Sequence, residues 1–232
     1  MLRLDGLELR QGEFRLTANW QVPAGARIAV IGASGGGKST LIAAIAGFLA
    51  PHSGRILWQG RDIAETDPGK RPVTTLFQDQ NLFPHLTIAQ NVGLGLSPAL
   101  RLTPEDHARI DEALARTGLA GMGARKPAQL SGGQQGRAAL ARALLRDRPL
   151  LLLDEPFAAL GPALKAEMLG LLDDLTAAAG TTVLMITHDP ADARAFAPLT
   201  CLVADGIAHP PHPTGALLDN PPPALAAYLG PR

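Results

Sequence analysis

Gly32-Ala33-Ser34-Gly35-Gly36-Gly37-Lys38-Ser39-Thr40 decides how the rest of the chain is read. It fits the phosphate-binding pattern G-x-x-x-x-G-K-S/T, with Gly32, Gly37, Lys38 and Ser39 at the fixed positions. The apolar run Ile28-Ala29-Val30-Ile31 before it predicts a buried strand. After it, Leu41, Ile45, Phe48 and Leu49 recur at helical spacing until Pro51, which predicts a helix across that stretch. Three consecutive glycines let successive backbone N–H groups turn inward around an anion, and the helix N-terminus adds partial positive charge. Lys38 is placed to reach the β- and γ-phosphates, and the Ser39 hydroxyl to bind Mg²⁺. A glycine-rich turn before an ordinary core helix is the plainer alternative, and the strand–loop–helix context argues against it.

The whole chain bounds what such a loop serves. Its 232 residues suffice for one large α/β domain or a domain with an insertion. Charged residues make up 18% and sum to a formal net charge of zero, so nothing in the balance points to nucleic acid or an anionic membrane surface. The single Cys201 excludes an internal disulfide framework, and its setting, Leu199-Thr200-Cys201-Leu202-Val203, reads as a buried strand with an inert thiol. Asp5 and Glu8 interrupt the apolar N-terminus, against a signal peptide, and no apolar stretch nears the roughly 20 residues of a membrane span. A soluble, cytoplasmic protein is the expectation.

Outward from the loop, residues 1–22 alternate apolar and polar (Leu2, Leu4, Leu7, Leu9; then Phe14, Leu16, Ala18, Trp20), the pattern of antiparallel strands with one solvated face. Another short strand covers 54–60. A polar, breaker-rich link holding Glu65, Pro68, Lys70 and Arg71 then leads to an apolar strand, 73–77, that ends at Gln78. From 87 to about 148 the texture is helical. Thr103-Pro104-Glu105-Asp106 reads as a helix start with Pro in the first turn, and a further helix is predicted from Gly132 to Leu145. Leu150-Leu151-Leu152-Leu153 predicts a buried strand running into Asp154-Glu155-Pro156. A helix over 162–177 and a strand over 181–186, ending in Thr187-His188-Asp189, follow. The proline-rich tail from His209 reads as an irregular strap.

Three buried strands thus end in polar residues, and in open parallel sheets ligands sit beyond the carboxyl ends of strands. Asp154 is the candidate carboxylate for Mg²⁺, with Ser39 and Gln78 as its companions. Glu155 is the candidate to polarise an attacking water, His188 to bond the γ-phosphate, and Gln78 to contact Mg²⁺ or the water. Leu130-Ser131-Gly132-Gly133-Gln134 offers a second helix N-terminus suited to an anion. One nucleotide already fills the first loop, so this second grip makes sense on the nucleotide of a second subunit.

This ordered series, G-A-S-G-G-G-K-S-T, F-Q, L-S-G-G-Q, L-L-L-L-D-E-P and T-H, resembles the ATP-binding subunits of ABC transporters over essentially the whole chain. The resemblance implies an α/β P-loop NTPase fold. Its core sheet would be mostly parallel, with an N-terminal antiparallel β subdomain and an inserted α-helical subdomain. Residues 1–86 and 149–232 would form the ATP-binding core and 87–148 the helical signature subdomain. It also implies ATP and Mg²⁺ as cofactors, and a head-to-tail homodimer with ATP at the interface between one subunit's 32–40 loop and the other's Ser131, Gly132, Gly133 and Gln134. Integral-membrane permease subunits would be direct partners, a periplasmic or extracellular substrate-binding protein an indirect one, and nucleic acid none. The place implied is the cytoplasmic face of the bacterial inner membrane, held peripherally.

Residues 71–96, with Ile45-Ala46-Gly47-Phe48-Leu49, Pro156-Phe157 and Val203-Ala204-Asp205-Gly206, are similar to the ATPases of bacterial thiamine importers. Importer ATPases for polyamines or iron, a non-transport ABC ATPase, and a regulator with weak hydrolysis are the alternatives. Three positions depart from the family. Gln11 stands near where an aromatic residue stacks on adenine, so that Phe14 or another residue takes its place, or adenine is held less tightly. Gly161 replaces the Asp of S-A-L-D. Gly136 sits inside a predicted helix at a cost of about 1 kcal/mol relative to Ala.

Overall fold

The computed structural model describes residues 1–77 and 81–230. Strands β1 (Leu2–Gln11) and β2 (Phe14–Val22) form a hairpin, and β3 (Arg27–Ile31) leads into helix α1 (Lys38–Ala46). Next come β4 (Ser53–Trp58), β5 (Arg61–Asp62) and β6 (Val73–Leu76), then the helices α2 (Ile88–Gly93), α3 (Pro104–Arg116) and α4 (Gly132–Leu145). The chain continues through β7 (Leu150–Asp154), α5 (Pro162–Ala179), β8 (Thr182–Ile186), α6 (Pro190–Phe196), β9 (Leu199–Ala204) and β10 (Ile207–Ala208). It closes with β11 (His212–Pro213), α7 (Thr214–Asp219) and α8 (Pro223–Leu229).

The strands run in the order β5-β4-β1-β2-β10-β9-β3-β8-β7-β6, with β11 beside β9. Strands β9, β3, β8, β7 and β6 are mutually parallel. Their residues are buried on both faces, as parallel strands covered by helices require. Strands β1, β2, β4 and β5 pair antiparallel. The short β10 is the seam, parallel to β2 and antiparallel to β9. This is the α/β arrangement of a mostly parallel core with an antiparallel N-terminal part.

Leu2 and Leu4 occupy even positions of β1 while Leu7 and Leu9 occupy odd ones, yet all four are buried. A strand of strict period two would turn one pair to solvent. The register shifts between Leu4 and Leu7, and Gly6 there takes a left-handed φ of 56°. This β-bulge restores one apolar face, so the simple alternation expected from sequence is broken and repaired within the strand.

Helix α1 is packed between the two parts of the sheet. Its Leu41, Ile42, Ala44 and Ile45 join one core with residues of β1, β2 and β4 on one side and β3, β7 and β8 on the other. The helix is therefore apolar on most of its surface rather than along one stripe. A second core lies on the opposite face of the parallel strands, between them and α4, α5, α6, α7 and α8. Helices α2, α3 and α4 share a third, built on Ile88, Val92, Ile110, Leu114 and Leu140's neighbours Ala138 and Ala141. Each of these three helices starts on the same device: Thr87, Thr103 and Ser131 accept a backbone N–H from the third residue on, whose side chain bonds back. Gly136 lies buried within α4.

Two expectations change. Helix α1 ends at Ala46 rather than continuing to Pro51, because Gly47 adopts φ 94° and returns its N–H to Ala43 and Ala44. Phe48 then projects outward, 61% exposed, instead of extending the helical face. The proline-rich tail is no irregular strap: β11, α7 and α8 form within it, with Thr214, Leu218 and Leu225 buried.

Arg71, in the link read as polar, is only 1% exposed. Its Nη1 donates to the α1 carbonyls of Ala44 and Ile45 at 2.8 and 2.9 Å. Nε donates to Thr66 O at 2.8 Å and Nη2 to Ala64 O at 2.6 Å. The guanidinium thus caps the negative end of the helix that follows the glycine loop. Burial lowers its pKa, but a guanidinium remains charged. A Cβ at Gly47 would lie 2.6 Å from Arg71 Nε, a second reason for glycine there. Arg71→Met should cost about 3 kcal/mol by leaving buried carbonyls without donors. Thermal unfolding should then fall by roughly 6–12 °C. Arg71→Lys should recover less than half of it, since one ammonium cannot span four acceptors.

Candidate functional site

The loop between β3 and α1 is shaped by close approach. Gly32 has φ 147°, and any Cβ there would collide with the carbonyl oxygen of Val203 on β9. Gly35 and Gly37 take φ 74° and 103°, left-handed values open to glycine without strain. Gly36 N donates to Ala33 O at 3.1 Å, closing a turn through Ser34 and Gly35. A Cβ on Gly37 would meet Phe14 Cζ at 2.6 Å, so the ring of Phe14 lies directly on the loop, while Gln11 is exposed. Ala33, Ser34, Gly35 and Ser39 face solvent, with Gly36 and Thr40 half-buried.

Lys38 is buried, and its Nζ donates to Gly32 O and Ala33 O, both at 2.9 Å. The side chain therefore folds back across the loop it follows and holds its entry. Burial lowers the pKa of this ammonium, and the charges of Glu155 and Asp154 act against that shift. These two carboxylates therefore stand close to the loop although they lie more than a hundred residues downstream in the chain.

Asp154 ends β7 near Ser39 at the start of α1, close enough for that hydroxyl to favour the charged carboxylate. Burial raises the pKa of its carboxyl, opposed by the nearby Ser39 hydroxyl, helped by the charge of Glu155 and opposed by that of Lys38. Glu155 follows in a left-handed conformation, φ 46°, uncommon for a residue with a side chain. Its N–H donates to Ile186 O on β8 at 3.2 Å, so the ends of β7 and β8 are tied together at this residue. His188 Nδ1 faces Glu155 Oε2 at 3.3 Å, the ring N–H donating to the carboxylate. Thr187 N donates to Val30 O of β3 at 3.3 Å. Loop, Asp154, Glu155 and His188 thus gather at the carboxyl ends of three adjacent parallel strands. Gln78 lies outside the described residues.

At the start of α4, Gln134 N donates to Ser131 Oγ at 3.3 Å, and Ser131 N donates to Gln134 Oε1 at 3.0 Å. Ser131 and Gly132 are exposed. Gly133 is buried, and a Cβ there would strike the side chain of Leu164 in the first turn of α5. Gly161 is the N-cap residue of α5, with ordinary extended backbone and nothing within 4 Å of where a Cβ would sit. The second anion-type helix start therefore sits beside the segment that departs from the family at Gly161.

Cys201 is buried, its thiol pushed up to about 12 by burial and donating to His209 O at 3.1 Å. It is a core residue. Lys165 and Tyr228 were not singled out from sequence, yet both reach the His188 segment. Lys165 Nζ pairs with Asp189 and Asp192 at 3.1 and 3.2 Å, and Tyr228 Oη donates to His188 O at 2.7 Å. Neither residue belongs to a motif, and only the fold brings them there.

The profile of the ABC transporter family matches residues 16–158, more than half of the chain. The thiamine import ATP-binding protein ThiQ of Cereibacter sphaeroides is 70% identical over 231 residues, covering 100% of both chains. ThiQ of Ruegeria sp. strain TM1040 is 58% identical, covering 99% of this chain and 100% of its own. Among solved structures, the dimeric post-hydrolysis state of the ATP-binding cassette MJ0796 with ADP and Pi superposes with a TM-score of 0.79 at 30% identity. It covers 92% of this chain and 99% of that one. With the loop, the strand-end carboxylates and the histidine in one place, the chain belongs to the ABC transporter family of ATP-binding subunits.

Proposed function

We propose that this chain is the ATP-hydrolysing, energy-coupling subunit of a thiamine importer. The observation that carries the ATPase reading is the meeting of Ser39 with Asp154, and of Glu155 with His188, beside one phosphate-shaped loop. The substrate reading is supported by full-length similarity to relatives named for thiamine import. Thiamine itself would be met by the permease and binding protein, not by this site.

In this reading the amides of residues 32–40 and the Lys38 ammonium hold the ATP phosphates. Ser39, Asp154 and Gln78 would hold Mg²⁺. Their hard oxygen donors fit that ion, and the described residues contain no cluster of three or more acidic, His or Cys side chains to enclose a metal alone. That suits a cation sharing its shell with phosphate and water. Bound there, Mg²⁺ neutralises phosphate charge. The Glu155 carboxylate orients a water for attack on the γ-phosphorus and takes its proton as ADP leaves. With both ring nitrogens protonated, His188 donates through Nδ1 to Glu155 and through Nε2 to the γ-phosphate.

One chain supplies a single loop and a single Ser131–Gln134 helix start facing away into solvent. We infer a head-to-tail homodimer in which residues 131–134 of one protomer close over ATP in the loop of the other, as the dimeric state of the similar cassette supports. The helices within 87–148 act as the signature subdomain on the two-part core of 1–86 and 149–232. Phe48 and Phe77 are exposed with ring centroids 6.0 Å apart, and Phe83 is 47% exposed. Buried Asn91 fixes the turn that carries Phe83, accepting from Phe83 N at 2.7 Å and donating to the carbonyls of Phe83, Leu86 and Thr87. The exposed Phe48–Phe77 pair is suited to a short cytoplasmic helix of the permease. No helix among the described residues is long and apolar enough to cross a membrane, so the subunit would be held peripherally at the cytoplasmic face by that contact.

Deleting the gene should abolish high-affinity thiamine uptake by the source cells, and a Glu155→Gln copy should fail to restore it. The purified Glu155→Gln chain should bind MgATP yet hydrolyse it about 100-fold more slowly or worse. Unchanged thiamine uptake with loss of polyamine or iron uptake would refute the substrate.

Asp154 yields a prediction of opposite sign for stability. Its folded pKa is raised, so the stabilising protonated form prevails only at low pH, and stability is lost as pH rises through that raised value. Asp154→Asn removes this cost. The nucleotide-free variant should melt higher than wild type at pH 7, on the order of 1–3 °C. The difference should vanish below the ordinary Asp range, and Mg²⁺-stimulated hydrolysis should be lost. A lower melting point at pH 7 would contradict the electrostatic reading.

A further inference from the structure

The segment 187–189 carries a histidine whose side chain is 55% exposed, so packing does little to fix its ring. Its direction depends on the backbone beneath it. On the N-terminal side, Thr187 N is held by Val30 O, and Thr187 Oγ1 donates to Asp192 at 2.9 Å. On the C-terminal side, Asp189 N donates to Thr187 Oγ1 at 3.1 Å, and the Asp189 carboxylate caps α6 through Ala191 N at 2.9 Å. Lys165 of α5 then clamps Asp189 and Asp192 together. Between these anchors stands the peptide that follows His188, whose carbonyl direction sets ψ of the histidine and with it the line along which the imidazole leaves the backbone.

Tyr228, the sole tyrosine of the chain, donates to that carbonyl at 2.7 Å from α8, forty residues further along. Its ring packs on the second core with Leu229, so the hydroxyl is delivered from a fixed platform. Glu155 and Asp189 both raise the pKa of the phenol, after burial, which places both carboxylates near it and keeps it a donor at neutral pH. We propose that Tyr228 is a positioning residue for hydrolysis, a C-terminal strut that holds the His188 peptide so that the ring, carrying a proton on each nitrogen, bridges Glu155 and the γ-phosphate. This rests on the role given to His188 above. The C-terminal helix then belongs to the catalytic machinery rather than to a passive tail, and whatever displaces α8 slows turnover without touching the nucleotide loop.

The test is a double-mutant cycle in the full chain, with ATP turnover followed by radiolabelled phosphate release. Tyr228→Phe keeps the ring and removes the hydroxyl. Losing one hydrogen bond to the carbonyl should lower kcat about 3- to 10-fold, with KM for ATP changed less than about 2-fold. ADP affinity should be unchanged, because ADP lacks the phosphate that His188 meets. In a His188→Ala background the same substitution should cause no further loss, since the hydroxyl acts only through the histidine. Equal losses in both backgrounds, an effect confined to KM, or wild-type kcat in Tyr228→Phe would each overturn the proposal. Full activity in His188→Ala alone would instead bring down the histidine's own role, a failure that the cycle separates from failure of the tyrosine.

Discussion

Everything in this molecule hangs on a stretch of backbone that has to pass where side chains cannot go. Between β3 and α1 the chain turns under the Val203 carbonyl at Gly32, under the Phe14 ring at Gly37, and is held by Lys38 bonding back to Gly32 and Ala33. That turn works only if its strand and helix are fixed. Strand β3 is paired on both edges, to β9 and β8, and α1 is enclosed by the two parts of the sheet. The buried Arg71 grips the far end of α1 through carbonyls, so the helix is held by a cation at one end, and in the proposed function its positive end would face phosphate. Stability and binding use the same helix.

The conflict between the two appears at Asp154. A half-buried carboxylate beside Glu155 disfavours its own charge, and Ser39 and Lys38 only partly offset that. Residues at a site of this kind trade stability for function, and the left-handed backbone of Glu155 belongs to the same account. Both costs are localised where β7 ends next to β8, and the tie from Glu155 N to Ile186 O holds them in place.

Much of this was legible in the sequence because it depends on local rules. The glycine-lysine loop, the all-apolar β7, and the helix starts at Thr103 and Ser131 each carry their signal within a few residues. The features that were missed depend on tertiary context. The end of α1 at Gly47 competes with an apolar pattern that continues through Phe48 and Leu49, and the glycine wins because Arg71 occupies the space beyond it. Arg71 itself sits among Pro68, Gly69 and Lys70, where any composition-based reading makes it a solvated charge. The bulge at Gly6 is implied by the change of parity between Leu4 and Leu7, a signal present in the sequence but read as plain alternation. Tyr228 has no local signature at all, and its partner is a backbone carbonyl that only the fold supplies. Gln78 lies outside the described residues.

The central claim is that the loop of one chain and the Ser131 helix start of another form one nucleotide site. Ser34 and Ser131 are both exposed, and the only native thiol, Cys201, is buried. Two populations of the Glu155→Gln chain, one carrying Ser34→Cys and the other Ser131→Cys, can be mixed and oxidised mildly. With MgATP we expect a disulfide-linked heterodimer, and with MgADP far less of it. Equal cross-linking with both nucleotides, or none with MgATP while ATP is bound, would contradict a shared site.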